Sequence, residues 1–414
     1  MKRRISVIPI AVVLGVAVFA VVSIRSIDVH RAVCEGKAMK VRFALFFRPG
    51  IVHERDDSMR LPIHCACEYE RADLLPFLLD KGGELNSKDG MGRTPLLIAV
   101  DKGSARIARV LLDRGADVNR RNTGDEQAPL HRAVARQDRD MVELLLDHGA
   151  DVKVADKNGY TPLHFASSRA MAELLLAGGA DVNAVADEGT APFHEALRSG
   201  DMDLVRLLVD HGASWDLYEK RGATPVQTAA ITGRREALEL FLERGGDSAR
   251  LTREDPPTMM DLACARGHLA VVELLVEKGT PVDVPDGAGS TPLHWACRGG
   301  QEKVVKYLLA KGAQVNVRDK GQYTALHYAV GSSHPATVRD LLEGGADVNA
   351  PASDGKTALH FAVKQRSSEI AQLLLDKGAS VGVRDKDGQT PLAIAVTLHD
   401  NAMEALLRKH GAAQ

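Results

Sequence analysis

The chain has 414 residues, of which 53 are basic and 55 are acidic, so its formal net charge is only −2. Such a balance provides no overall field that would attract a phosphate backbone, which argues against nucleic acid as a partner. Aromatic residues make up only 4% of the chain, a content that is typical of a core of small and branched side chains.

The first feature along the chain is an apolar segment near the amino terminus. Residues 5–24 carry no ionisable group, follow Lys2, Arg3 and Arg4, and end at Arg25. Their length is about what a helix needs to span a bilayer, and it exceeds the roughly 7–15 apolar residues of a usual signal peptide. The basic residues predict that the amino terminus stays in the cytoplasm and that the rest of the chain lies outside, in the periplasm or the extracellular space.

Residues 1–26 are therefore predicted to be a membrane anchor or, as the alternative, a signal peptide. The runs that end at Ala20 and at Ser23 both finish in a small residue, as a cleavage site requires. Cleavage would give a secreted or periplasmic protein.

Residues 27–60 follow without a linker and are predicted to form an amino-terminal cap. They include three phenylalanines between positions 43 and 47 and lack the Thr-Pro pair of later segments. The outer face of a cap must meet water instead of another repeat. It is predicted to carry the basic residues Lys37, Lys40 and Arg42.

From there on, a pattern of about 33 residues repeats, and it is clearest in residues 291–316. Thr291 is predicted to cap a short helix with Pro292 at its first position, and Gly299-Gly300 ends that helix. A second helix follows with apolar residues at helical spacing, and Gly312 closes it. Such a helical hairpin cannot bury its apolar face alone, so its neighbours must cover it.

An alanine stands five residues after the opening position of each copy. The twelve alanines are Ala32, Ala66, Ala99, Ala133, Ala166, Ala196, Ala229, Ala263, Ala296, Ala329, Ala362 and Ala395. A small side chain there lets the two helices pack closely, since a larger one would overpack the contact by roughly 1–3 kcal/mol.

The chain resembles the ankyrin-repeat family over residues 27–414. The resemblance rests on Thr-Pro-Leu-His-Phe-Ala at 161–166, on the matching run from Thr291, and on the Gly-Ala-Asp-Val-Asn endings at 115–119, 179–183 and 345–349. It implies an all-α solenoid of paired helices joined by β-hairpin fingers, with a concave surface that binds proteins. Residues 61–389 would be internal repeats, and residues 390–414 a carboxy-terminal cap.

The histidines and cysteines are interpreted as structural. Three of the five cysteines directly follow a repeat alanine, and Cys34 lies two positions after one. The cysteines are predicted to be small buried residues, not disulfides or metal ligands. At the fourth motif position the resemblance implies hydrogen bonds between neighbouring hairpins. The histidines at this position are His30, His64, His131, His164, His194, His294, His327 and His360. No catalytic, cofactor-binding or metal-binding residue is predicted, and the chain is not expected to be an enzyme.

Two irregularities interrupt the period. Three residues are missing between Ala166 and Leu174, which predicts a tighter turn near residues 167–169. The segment before Thr258 contains Pro256-Pro257, which cannot donate to a hairpin ladder. The stack is therefore predicted to be weakest near Asp255.

The candidate partner-binding residues are aromatic. The position before the repeat alanine turns aromatic in three successive repeats, at Trp295, Tyr328 and Phe361, while Tyr160 and Tyr323 lie at variable fingertips. Clustered aromatic residues on a charged surface are typical of binding hot spots. The alternative is that the row packs between first helices as leucine would. Trp215, which replaces a valine of the finger ending, is predicted to lie in the core.

The predicted function is a membrane-tethered module that binds a protein partner through its concave face and fingers. The alternatives are a structural accessory of an envelope complex and a secreted effector.

Overall fold

The computed structural model describes residues 27–220, 223–246 and 258–413. Within these ranges the regular secondary structure is helical, and no strand is present. The described residues divide into two compact units, residues 27–214 with 219–220 and residues 215–218 with 223–246 and 258–413. Each unit is a helical solenoid and is described by itself.

The first unit consists of paired helices with two short 3₁₀ segments, Pro49–His53 and Pro162–Phe165. Its α-helices are α1 (Val29–Cys34), α2 (Ala38–Phe47), α3 (Pro62–Glu68), α4 (Leu75–Asp80), α5 (Pro95–Lys102), α6 (Ala105–Asp113), α7 (Pro129–Ala135), α8 (Arg139–Asp147), α9 (Arg169–Ala177), α10 (Pro192–Ser199) and α11 (Met202–Asp210).

The second unit continues the same pairing. Its helices are α12 (Pro225–Ile231), α13 (Arg235–Glu243), α14 (Met259–Arg266), α15 (Leu269–Glu277), α16 (Pro292–Arg298), α17 (Glu302–Ala310), α18 (Ala325–Gly331), α19 (Pro335–Glu343), α20 (Ala358–Lys364), α21 (Ser368–Asp376), α22 (Pro391–Thr397) and α23 (Asn401–Lys409).

Within each unit, first helices pack against first helices and second helices against second helices. All twelve repeat alanines are buried where a first helix meets its neighbours. The close packing predicted for this position is therefore confirmed, since each alanine lies where a larger side chain would have no room.

The fingers differ from the predicted β-hairpins. In the finger at residues 319–323 the N–H of Asp319 donates to the carbonyl of Tyr323 at 3.0 Å. The next finger is joined by one further bond, from Ser353 N–H to the carbonyl of Gly321 at 3.0 Å. These bonds close a turn and join it to its neighbour at single points, which is too few for a strand ladder, so the fingers among the described residues are tight turns.

The three-residue deletion shortens a helix. The first helix of that repeat is reduced to the four-residue 3₁₀ segment Pro162–Phe165, whereas its neighbour Pro129–Ala135 has seven residues. Ala166 is already extended, and Ser168 caps α9. The missing residues are thus taken mainly from the helix, because the second helix must keep its place in the stack.

The cap repeat also departs from expectation. Lys37, Lys40 and Arg42 are exposed as predicted, but Phe46 is 75% exposed beside them. The outer face of the cap is therefore apolar as well as basic.

Two predictions concern residues outside the described ranges. The apolar segment at residues 5–24 is one, and the weak point near Asp255 is the other. Among the residues that are described, no helix is long and apolar enough to cross a membrane.

Candidate functional site

Aspartates in the fingers of the second unit position the aromatic side chains that precede the repeat alanines. Asp286 and Asp319 each turn one carboxylate oxygen toward their own finger, where Oδ1 accepts the N–H of Ser290 and of Tyr323 at 2.9 Å. This leaves the second oxygen of each carboxylate directed at the following first helix.

The polar edges of Trp295 and Tyr328 satisfy those second oxygens. Trp295 Nε1 donates to Asp286 Oδ2 at 3.1 Å, and the Tyr328 hydroxyl donates to Asp319 Oδ2 at 2.6 Å. Burial and the neighbouring carboxylate raise the pKa of Tyr328 to about 12, so the hydroxyl keeps its proton at neutral pH. Both side chains are half-buried.

Phe361 follows the same geometry without the hydrogen bond. The finger position nine residues earlier, occupied by aspartate in the two preceding repeats, is Ala352. A ring without a donor is thus paired with a finger without a free acceptor, and neither leaves an unsatisfied group. Phe361 contributes only apolar contact.

Three of the five predicted residues meet around one open cavity. The Tyr323 ring lies 6.0 Å from Tyr328 and 5.9 Å from Phe361, measured between centroids. The cavity has a volume of about 390 Å³, and its lining residues are Arg298, Tyr323, His327, Tyr328, Gly331, Ser332 and Phe361. Trp295 adjoins this group, since the Arg298 guanidinium lies 5.6 Å from its ring centroid. We call Trp295, Arg298, Tyr323, Tyr328 and Phe361 the aromatic surface.

The buried histidine His294 holds the backbone next to this surface in place through two hydrogen bonds. His294 Nδ1 accepts the N–H of Thr291 at 3.0 Å, and Nε2 donates to the carbonyl of Tyr323 at 3.2 Å. This arrangement fixes the neutral tautomer and links one repeat to the next. Burial lowers the pKa of His294 below its ordinary value. The bond between neighbouring hairpins that the resemblance implied is confirmed here.

Tyr160 belongs to the first unit and is not part of the aromatic surface. Its ring lies 5.9 Å from that of Phe165 and 5.1 Å from that of His164. Phe165 occupies the position that corresponds to Trp295, but it is not among the residues predicted to bind a partner. The signal was available, since Phe165 directly precedes a repeat alanine.

Trp215 and the cysteines lie in structural settings. Trp215 is half-buried, with its ring 5.2 Å from that of Phe241. All five cysteines are free, and only Cys34 is not fully buried. Across the part of the chain that the structure describes, no group of three or more His, Cys, Asp or Glu residues could hold a metal ion.

Paired helices, neighbour-to-neighbour packing and tight fingers define a helical repeat protein. The chain belongs to the ankyrin-repeat family, because a family model described as ankyrin repeats (3 copies) matches residues 29–122, 120–186, 167–255, 238–319, 259–352 and 326–414.

The curated relatives match only in part. The chain is 33% identical over 94 residues to ankyrin repeat and KH domain-containing protein 1 of Homo sapiens, which is 22% of this chain and 4% of that protein. It is 32% identical over 105 residues to ankyrin repeat domain-containing protein 63 of Mus musculus, covering 24% and 27%. It is 33% identical over 102 residues to the palmitoyltransferase Hip14 of Drosophila melanogaster, covering 24% and 16%. The chain therefore spans only a small part of the length of each of these relatives.

Proposed function

We propose that this chain is a non-enzymatic protein-protein interaction module that binds a protein partner through the aromatic surface of its second unit. The observation that supports this most is the cavity of about 390 Å³ with aromatic walls and Arg298 at its side. Aromatic and arginine side chains dominate binding hot spots, and a pocket that is already formed loses little entropy on binding. Tyr160 is proposed as a separate contact on the first unit.

Within the aromatic surface, Tyr323 and Phe361 are the residues best suited to touch a partner. Trp295 and Tyr328 also serve the fold, because their polar edges satisfy Asp286 and Asp319. Phe361 satisfies no such group and is nevertheless only half-buried. A variant at Phe361 or Tyr323 therefore separates binding from stability better than one at Trp295.

A photo-crosslinking experiment tests this proposal. A benzoylphenylalanine is introduced at Tyr323 or Phe361 of the full-length protein, and at Tyr307 as the matched control. Tyr307 is an equally half-buried aromatic residue of the same unit, but it lies on the second helix α17. We expect one abundant crosslinked protein from Tyr323 and Phe361, and none from Tyr307.

Other outcomes would decide against specific binding. Equal yields from all three sites, or a broad set of products, would favour the structural accessory role. The variant Tyr328→Phe is a further control, because it keeps the ring but leaves Asp319 Oδ2 without its donor. It should lower thermal stability and still capture the partner. If it loses capture while Phe361→Ala retains it, capture depends on the stability of the row and not on contact with the Phe361 ring, which would contradict the proposal.

We also propose that residues 5–24 tether the chain to a membrane, with the amino terminus in the cytoplasm and the repeats outside. The proposal rests on the length of the apolar segment and on the basic residues before it. Retention of the protein in membranes after an alkaline wash is the expected result. A mature amino terminus near Val21 or Ile24 would instead show that the segment is a cleaved signal peptide and that the protein is released.

A further inference from the structure

Helix α2 exposes a stripe of large apolar side chains. Met39 is 80% exposed, Phe43 47%, Phe46 75% and Phe47 52%. The opposite side of the same helix is buried and is formed by Val41, Ala44 and Leu45. The helix is thus apolar on two faces, and only one of them is covered. We call Met39, Phe43, Phe46 and Phe47 the apolar stripe.

The apolar stripe is continuous and has basic edges. Its members stand at i, i+4, i+7 and i+8, which places them on one side of a helix. The Phe47 ring lies 5.0 Å from those of both Phe43 and Phe46. Lys40 and Arg42 are exposed on either flank of the stripe, and α2 contains no acidic residue.

Such a face is unlike the water-facing side of a terminal repeat, which is normally polar. Exposed apolar patches of this kind mark sites that bind a partner or a lipid surface. A helix face of aromatic residues between basic flanks fits the boundary between headgroups and acyl chains, because the rings enter the apolar side while lysine and arginine reach anionic headgroups.

Chain geometry brings this face close to the predicted membrane segment. Only Arg25 and Ser26 separate residues 5–24 from Ile27. Three extended steps reach about 10 Å at most. Ile27 and Lys40 line the same cavity of about 580 Å³, so the first described residue lies near one edge of α2. A chain anchored by residues 5–24 would hold α2 at the bilayer surface.

We propose that the apolar stripe docks on the surface of the lipid bilayer, with Lys40 and Arg42 contacting anionic headgroups. This rests on the proposed tether. The docking proposal adds that side chains of the first repeat contact the bilayer directly, in addition to the attachment through residues 5–24.

The test uses full-length protein in liposomes of zwitterionic and anionic phospholipid with brominated acyl chains, which quench tryptophan fluorescence on contact. Phe46→Trp places a reporter in the stripe. Met91→Trp is the matched control, since Met91 is 71% exposed in a turn of the same unit. Trp215 and Trp295 are present in both variants, and their signal is subtracted with the parent protein.

We expect clear quenching for Phe46→Trp and none for Met91→Trp. Protein that floats with the liposomes while both reporters stay unquenched would overturn the docking proposal and leave the tether standing. Protein that does not float would overturn the tether itself. A Phe46→Trp emission that shifts to the blue with protein concentration, in detergent without lipid, would show that a second copy covers the stripe and would also overturn the proposal.

A charge-reversal pair tests the flanks. Lys40→Glu combined with Arg42→Glu should reduce quenching of the reporter at position 46 in anionic liposomes and change it little in zwitterionic ones. Arg106→Glu combined with Arg109→Glu, two exposed positions on α6, is the control and should have no effect. Equal losses of quenching from both pairs of substitutions would show that Lys40 and Arg42 do not make specific contacts with the headgroups.

Discussion

Asp261 is a buried carboxylate that lowers the stability of the fold, at a motif position where no other repeat has an acidic residue. It occupies the motif position at which eight repeats carry histidine. Its Oδ2 accepts the N–H of Thr258 at 3.0 Å, as the histidine nitrogen does elsewhere. Its Oδ1 is buried without a hydrogen-bond partner. Ser290 occupies the sequence position of Tyr323, whose carbonyl accepts the N–H of His294 in a later repeat, and a carboxylate has no proton to offer such a carbonyl.

Burial raises the pKa of Asp261 to about 6, and the nearby Asp286 adds to the effect. The ordinary value is 3.8, so between pH 4 and 6 the folded chain binds more protons than the unfolded one. Protonation therefore stabilises the fold, and the cost of the buried charge is fully present only above pH 6. The free-energy cost of burying the charged carboxylate is of the order of 3 kcal/mol.

We predict that Asp261→Asn raises stability at pH 7.5 by roughly 1–3 kcal/mol, because the amide removes the charge and can supply a donor. The gain should vanish near pH 4, where the parent carboxyl is already neutral. Denaturant unfolding at the two pH values measures this. Asp261→His, which restores the residue of the other repeats, should show the same gain at pH 7.5. Lower stability of Asp261→Asn at pH 7.5 would show that the carboxylate has a partner worth more than its burial costs.

Residue spacing predicted much of the aromatic surface, but not its hydrogen bonds. Trp295, Tyr328 and Phe361 follow from the 33-residue period alone. Their pairing with the finger residue nine positions earlier was also present in the sequence, since aspartate precedes the two rings that can donate and Ala352 precedes Phe361. Arg298 could not be placed in this way, because its position beside Trp295 depends on how its long side chain packs.

At the scale of the helical hairpin, the turn between the two helices is left-handed in the described repeats other than the shortened one at Ala166, whatever residue occupies it. The fourth residue after the repeat alanine has a positive φ in glycines such as Gly300 (66°), and also in Ser333 (59°) and Arg366 (56°). Glycine adopts this conformation freely, whereas other L-residues lose about 1–2 kcal/mol. Glycine therefore signalled the turn in some repeats. In the others neighbour packing imposes the same turn, which no residue at that position indicates.

We predict that Ser333→Gly stabilises the protein by up to about 1 kcal/mol, the relief of strain being partly offset by the greater freedom of glycine in the unfolded chain. Gly300→Ala should destabilise it by at least about 1 kcal/mol. In this variant the backbone would keep its positive φ, and the new Cβ would lie 2.4 Å from an atom of the His334 ring. Gly331→Ala is the matched control, since it meets no atom within 4 Å. Thermal unfolding compares the three, and a harmless Gly300→Ala would show that the turn tolerates a right-handed conformation.

At the scale of the whole molecule, the repeated histidine makes stability depend on pH. Burial lowers the pKa of this residue in both units. The affected residues are His64, His131, His164, His294, His327 and His360. A neutral ring is required, because one nitrogen accepts a backbone N–H while the other faces a carbonyl. A single motif position therefore gives the six repeats that carry these histidines the same acid sensitivity.

Acid should destabilise the fold, because the pKa of these histidines in the folded chain lies below the unfolded value of about 6.5. Below pH 6.5 the unfolded chain takes up protons that the folded chain refuses, so stability falls as the pH falls and is constant above about pH 7. Each histidine contributes at most about 1.4 kcal/mol per pH unit within this window. The effect opposes that of Asp261 and should outweigh it, since six rings act against one carboxyl.

We therefore predict that the midpoint of denaturant unfolding drops between pH 7.5 and pH 5.5, and that His→Gln at positions 294, 327 and 360 weakens the drop. Glutamine is the proper replacement because Gln227 already occupies this position in one repeat, where its Oε1 accepts the N–H of Thr224 at 2.9 Å. It keeps the acceptor and the donor and removes the titration. The triple variant should resemble the parent at pH 7.5 and exceed it at pH 5.5. If the two proteins lose stability in parallel, the three histidines take up protons equally in the folded and the unfolded chain, and the acid response comes from other groups.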